Sequence, residues 1–187
     1  RMLAYSSLEN MGLVAIAVGV GGIGYYAGIL LLLLHSLAKS SLFFQMGQLS
    51  RVLHTFKLDS CGRYMKLYPA GAMVLLLGMI CILALPPSGL FITEFLIFKG
   101  MVANGQWAVM ITAVVLLCFV VYAMGTRFMH ILFSNPRGEA GLIEPGKVNR
   151  IETISQFVLL GVVVLMCFYQ PSFLSDMIFQ SVSLLPK

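Results

Sequence analysis

"ALPPSGLFITEFLIFK", residues 84–99, decides how this chain is read. A double proline, Pro86-Pro87, breaks an apolar run, Gly89 follows, and Glu94 then stands among bulky apolar neighbours. Proline cannot continue a helix but is tolerated in a first turn. The stretch therefore ends one helix and starts another, and the second carries a carboxylate. An ionisable group at membrane depth costs at least ~2.5 kcal/mol and faces a bundle interior or a wet cavity. Whether that cost applies depends on the solvent around the helix.

The composition identifies the solvent. Of 187 residues, 59% are hydrophobic and 10% charged, with a mean hydropathy of +0.95. Soluble domains carry about 25% charged residues. The expectation is an integral membrane protein with an all-α fold, a polytopic transmembrane helix bundle. The net charge of +5 comes from basic residues scattered through loops and helix ends. No interleaved basic and aromatic track is present, so nucleic acid is excluded as a partner. Cys61, Cys81, Cys118 and Cys167 are far apart in sequence, and three lie in apolar runs. They are read as buried inert thiols, with no metal or iron–sulfur site and no cofactor in this chain.

A helix needs ~20 apolar residues to cross the bilayer core. Between Glu9 and His35 no charge occurs, but Gly19, Gly21, Gly22 and Gly24 mark a tight connection. That divides the run into helices over 3–20 and 24–48. A polar connection, 49–68, leads to a span over 69–86 opened by Pro69. The apolar segment 90–103, which runs to Asn104-Gly105, is too short to cross alone and is read as a half-helix continuing after a break into 107–133. Neither the position of that break nor the division of 107–133 between a second half-helix and a full span follows from the sequence. A second polar connection, 134–150, precedes a last span over 152–170 and an amphipathic tail at the interface. This makes about six membrane segments including one broken helix. Two regions result: 1–133, the main bundle, and 134–187, a polar loop, the final span and the tail. Trp107, Tyr25, Tyr26, Tyr64, Tyr68 and Tyr169 fall near predicted ends, as an aromatic belt requires. The charges of the two polar loops do not choose an orientation.

His35 and Lys39 lie four residues apart on one face of a long helix. Neither reaches an interface easily, and an imidazole beside an amine can pass a proton through water. The alternative is a structural polar contact between helices. Glu94 lies beyond the first turn after the break, where a carboxylate binds an ion or proton at mid-depth. Lys99 follows it by five residues, about 140° round the helix, so a direct pair is not expected. Ser6 and Glu9 have capping-box spacing, which ties Glu9 to a helix start. His130 and Arg127 sit near a span end, where snorkelling is the ordinary state. Glu9, Lys99 and His130 are weaker candidates for proton transfer. No catalytic centre is encoded in this chain: hydrolase, phosphate-loop, haem and flavin signatures are absent.

"LAYSSLENMG", "HSLAKSSLFF", "LPPSGLFITEF" and "FYQPSFLSD", in this order, resemble the proton-translocating membrane subunits shared by respiratory complex I, Mrp-type antiporters and group 4 hydrogenases. The pattern is most like the F-type membrane subunit of hydrogenase-4 and formate hydrogenlyase complexes. The resemblance implies two inverted five-helix repeats, each with one broken helix, of which this chain matches the second plus a following helix. It implies that His35 and Lys39 lie on the central polar axis and Glu94 on the second broken helix. It further implies a redox-driven proton pump of a prokaryotic inner membrane, embedded in lipid beside other membrane subunits of a hydrogenase or NADH dehydrogenase-like complex. An Mrp-type sodium/proton antiporter subunit and a non-conducting anchor or assembly subunit are the alternatives. It would place 49–68 on the outer face and 134–150 on the inner one. The first repeat is missing, as is an initiator methionine, so a fragment is expected.

Overall fold

With no charge between Glu9 and His35, the chain reverses where its backbone allows it. Gly21 and Gly22 both take positive φ, +70° and +49°, which glycine alone adopts at no steric cost. They separate α1 (Met2–Val20) from α2 (Ile23–Leu53). The structure, a computed structural model, describes residues 2–53, 64–134 and 149–184. The remaining elements are α3 (Tyr64–Leu67), α4 (Pro69–Ile82), α5 (Gly89–Ala103), α6 (Trp107–Phe133), α7 (Arg150–Phe168) and α8 (Ser172–Ser183). All described regular structure is helical, and α1, α2, α6 and α7 are each long and apolar enough to cross a membrane. The all-α transmembrane bundle expected from composition is the fold observed.

α2 is the hub, packing against α1, α4, α5, α7 and α8. Its 31 residues extend roughly 46 Å. One face of the bundle, the turn face, holds the Gly21-Gly22 reversal, the α5–α6 connection and α8. Asn104 Nδ2 donates to the Val20 carbonyl at 2.8 Å and so ties the second of these to the first. Tyr26, at the start of α2, stacks on Phe179 of α8 with centroids 4.8 Å apart. The opposite face, the loop face, holds the end of α2, the start of α4, the end of α6 and the start of α7. There Arg51 meets Glu152 at 2.5 Å, and the Tyr68 hydroxyl bonds to Thr153 Oγ1 at 2.8 Å.

The broken helix is α4–α5, and its interruption is residues 83–88, not the segment near Asn104. α4 stops at Ile82, well short of the expected residue 86. A proline ring clashes with the carbonyl four residues earlier, and for Pro86 that residue is Ile82. Ala84, at φ +48°, carries the chain out of the helix. Ser88 then caps α5, its Oγ accepting from Phe91 N at 3.2 Å. Gly89 abuts Leu34 and Val163, which lie roughly 17 Å and 8 Å inside the turn-face ends of their helices, so α5 begins within the membrane and not at a face. α4 and α5 share a single crossing, while α6 is a complete crossing in its own right.

That changes the parity of the chain. With one crossing fewer, the helix ends flanking 54–63 and those flanking 135–148 lie on the same face, contrary to the opposite-face expectation. The Arg51–Glu152 pair records this directly, joining the last turn of α2 to the first of α7. The loops themselves, with Lys57, Cys61, Arg63, Arg137 and Lys147, lie outside the described residues.

Two further expectations are corrected. Trp107 and Tyr169 are exposed at span ends, but Tyr26 and Tyr64 are buried between helices and hydrogen-bonded, so they are packing groups. Cys81 is buried, but Cys167 is only partly so and Cys118 lies exposed on the outer side of α6. In an apolar span an outward position also reads as hydrophobic, so sequence cannot separate the two.

Candidate functional site

Polar side chains gather where α1 passes α2. Lys39 stands ~24 Å from the start of α2 and ~21 Å from its end, measured along the axis. At that depth its side chain cannot reach either interface and turns toward α1. The ammonium donates to Ser6 Oγ at 2.5 Å and to the Leu3 carbonyl. The Phe43 ring, one turn along, lies 5.8 Å from Nζ and presents its π face. His35 lies one turn from Lys39 and feels its charge. Both are buried, at 6% and 7% exposure, and His35 Nδ1 has no partner among the described residues.

Glu9 belongs to this cluster. Ser6 lies inside α1 and donates to the Leu3 carbonyl at 2.9 Å, and Asn10 Nδ2 donates to the Ser6 carbonyl at 2.9 Å. The serine is thus bonded back along its own helix and onto Lys39, and no capping box forms. Glu9 instead lies near enough to Lys39 for each to act on the other's charge. Its Oε2 is buried without a partner among the described residues. Glu9 also lines a groove of about 470 Å³ between α1 and α6, whose other walls include Leu13, Ala113 and Leu117.

Glu94 is the sixth residue of α5 and half-buried. α5 packs on α1 as well as α2, and Glu94 lies within Coulombic range of Glu9. The four groups therefore form a sequence in space: His35 and Lys39 on α2, Glu9 on α1, Glu94 on α5. Water between them would let protons pass by alternate charging of neighbours, with no covalent step. From the sequence Glu9 ranks only among the weaker candidates, because a capping-box pattern looks the same at a helix start and one turn inside it.

Lys99 and His130 do not join this group. Lys99 is exposed near the end of α5, and the ion pair found among the described residues is Arg51–Glu152, not Glu94–Lys99. His130 is exposed in the last turn of α6. A second polar cluster, absent from the sequence reading, lies toward the loop face. Ser41, Gln45 and Gln48 of α2 are buried against Thr153 and Gln156 of α7 and Tyr64 of α3. Its signal was present in the sequence, since polar residues recur every three or four positions in α2 and again in α7.

No group of three or more histidine, cysteine or acidic side chains suited to a metal ion occurs among the described residues.

Residues 1–120 match the family described as NADH:quinone oxidoreductase/Mrp antiporter, transmembrane. The chain is 33% identical over 144 residues to the hydrogenase-4 component F homolog of Methylacidiphilum infernorum, covering 76% of this chain and 30% of that protein. It is 32% identical over 113 residues to hydrogenase-4 component B of Escherichia coli, covering 54% of this chain and 17% of that one. A third relative, NADH-quinone oxidoreductase subunit M of Buchnera aphidicola, is 32% identical over 102 residues, 54% of this chain and 20% of that one. The fold superposes on a chain of the Mrp complex from Dietzia sp. with a TM-score of 0.83 at 18% identity, covering 97% of this chain and 41% of the other. The chain thus spans less than a third of the length of these curated relatives.

Proposed function

Because the chain belongs to the NADH:quinone oxidoreductase/Mrp antiporter transmembrane family, we propose that it is the proton-carrying part of a larger membrane subunit in a redox-driven complex. Protons move among Lys39, His35, Glu9 and Glu94, and hydrogenase-type or NADH dehydrogenase-type partner subunits supply the driving energy. The observation that carries this reading is the buried Lys39–Ser6 contact, with Glu9 and Glu94 in charge range of one another. A buried cation in charge range of one carboxylate, which is in turn in range of a second, has more than one charge arrangement open to it, which a relay needs. A purely structural cluster would have every polar atom paired, whereas Glu9 Oε2 and His35 Nδ1 have no partner among the described residues.

Orientation follows from the corrected topology. The loop-face helix ends carry Arg51, Lys66 and Arg150, and the sequence joining them adds Lys57, Arg63, Arg137 and Lys147. Lys99 is the basic residue nearest the turn face within the described spans. Lysine and arginine bias toward the cytoplasm supports a loop face on the cytoplasmic side of a prokaryotic inner membrane.

The test is Glu94→Gln in the full-length subunit within its complex. Translocation into vesicles falls to background while the complex still assembles on native gels. Undiminished pumping would sink the assignment. The same vesicles, assayed with and without sodium, separate proton carriage from sodium/proton exchange.

A further inference from the structure

On the loop side of the proton cluster, α2 and α7 bury three glutamines completely: Gln45, Gln48 and Gln156. A glutamine amide offers two donors and an acceptor with two lone pairs, and a buried one normally satisfies them. Here Gln45 Nε2 donates to the Tyr64 hydroxyl at 2.7 Å and Gln48 Nε2 to Thr153 Oγ1 at 2.8 Å. Their two Oε1 atoms, and both Oε1 and Nε2 of Gln156, have no partner among the described residues. Four open polar atoms on adjoining turns of two facing helices form a column. At one end Thr153 touches Tyr68, beside the Arg51–Glu152 pair at the surface. At the other, Ser41 Oγ donates to the Gln156 carbonyl at 3.2 Å.

One turn deeper than Gln45 along α2 and than Gln156 along α7, the packing turns apolar and tight. Gly78 of α4 is closed over by Leu42 and Leu160: a Cβ there would lie 2.5 Å from Leu42 Cδ2 and 3.7 Å from Leu160 Cδ1. Both leucines are fully buried. About two turns further along α2 stands Leu34, and one turn further along α7 stands Val163, both against the start of α5.

We infer that Gln45, Gln48 and Gln156 line a file of internal water reaching from the loop face to mid-membrane, closed there by the Leu42–Leu160 plug. Water is the ligand whose chemistry fits. It donates and accepts at once, so one kind of molecule satisfies the open Oε1 atoms and the open Nε2 together. A dry site would be better filled by leucine. A hydrophobic constriction above a wet column closes by excluding water and opens when its side chains part. Separation of Leu42 from Leu160 connects the file with the helix break and the carboxylate that α5 carries.

Two measurements test this. A high-resolution cryo-electron-microscopy map of the full-length subunit in its complex shows water density within hydrogen-bonding reach of Gln156 Oε1 and Nε2 and of the Gln45 and Gln48 oxygens. Amides paired with protein atoms, or no density beside them, overturn the inference. The second is passive proton leak in vesicles. Leu160→Ala opens the plug and raises the leak severalfold, and Gln156→Leu in the same chain abolishes that rise. A leak unchanged by Leu160→Ala refutes the plug, and one indifferent to Gln156→Leu refutes the file. The leak arm rests on the proton-carrying role proposed above. The map does not, so a failed Glu94→Gln test beside observed water would refute that role and leave the file standing.

Discussion

Replacing Gly89 with alanine tests the intramembrane start of α5, and the structure sets the size of the effect. A Cβ at residue 89 would lie 2.6 Å from Leu34 Cδ1, 2.8 Å from the Val163 carbonyl oxygen and 3.2 Å from Met166 Cβ. The Leu34 methyl can swing aside. The Val163 oxygen belongs to the α7 backbone and cannot, so α5 itself must shift. Overpacking of this kind costs ~1–3 kcal/mol, and an immovable backbone contact puts the effect at ~2–3 kcal/mol. At about 1.4 kcal/mol per decade, that is roughly a 30- to 140-fold change in the unfolding equilibrium. Gly125 and Gly161 are the controls, since a Cβ at either meets nothing within 4 Å. There alanine gains ~0.5–1 kcal/mol from lost glycine freedom, the opposite sign. The assay is denaturant or thermal unfolding of the full-length protein in detergent, all three variants side by side. If Gly89→Ala is as stable as Gly125→Ala, α5 does not begin pressed against α7, and the single-crossing reading of α4–α5 fails.

The remaining predictions concern charge and hydrogen bonds. Glu9→Gln slows proton translocation with assembly intact, because it removes the carboxylate in charge range of both Lys39 and Glu94; an unchanged rate would exclude Glu9 from the relay. Lys39→Met stops translocation while the complex still forms on native gels, whereas loss of assembly would mark the lysine as helix glue. Tyr64→Phe leaves Gln45 Nε2 without its partner and lowers unfolding stability by ~1–3 kcal/mol, read from detergent unfolding curves. Arg51→Gln costs less than ~1 kcal/mol, since the arginine is 54% exposed, and the difference shrinks in high salt.

Most of the helix ladder was legible because its punctuation is chemical. Gly21-Gly22 supplies the positive φ of the first reversal, Pro69 opens α4, and Pro171 precedes α8. The break was misplaced for a physical reason. Residues 69–86 span ~27 Å as a helix, long enough to pass for a full crossing. Only the reach of the Pro86 ring back to Ile82 shortens it, and with it the count of crossings. His35, Lys39 and Glu94 stood out because charge is rare in this sequence. The glutamines did not, because neutral amides draw attention only once their surroundings are known to be dry.

The bond from Asn104 to the Val20 carbonyl fixes the far end of α5, while its near end at Gly89 is held only by packing against Leu34 and the α7 backbone at Val163. A rod held at one end swings from that end. Glu94 sits ~13 Å from the fixed point and Gly89 ~21 Å, so a displacement at the break reaches the carboxylate reduced to about two-thirds. The Ala103 end stays nearly still. The two elements that grip the near end, Leu34 and Val163, belong to the helices that carry Lys39 and Gln156. Leverage on Glu94 thus comes from within the membrane and not from its surface, where the arm is pinned.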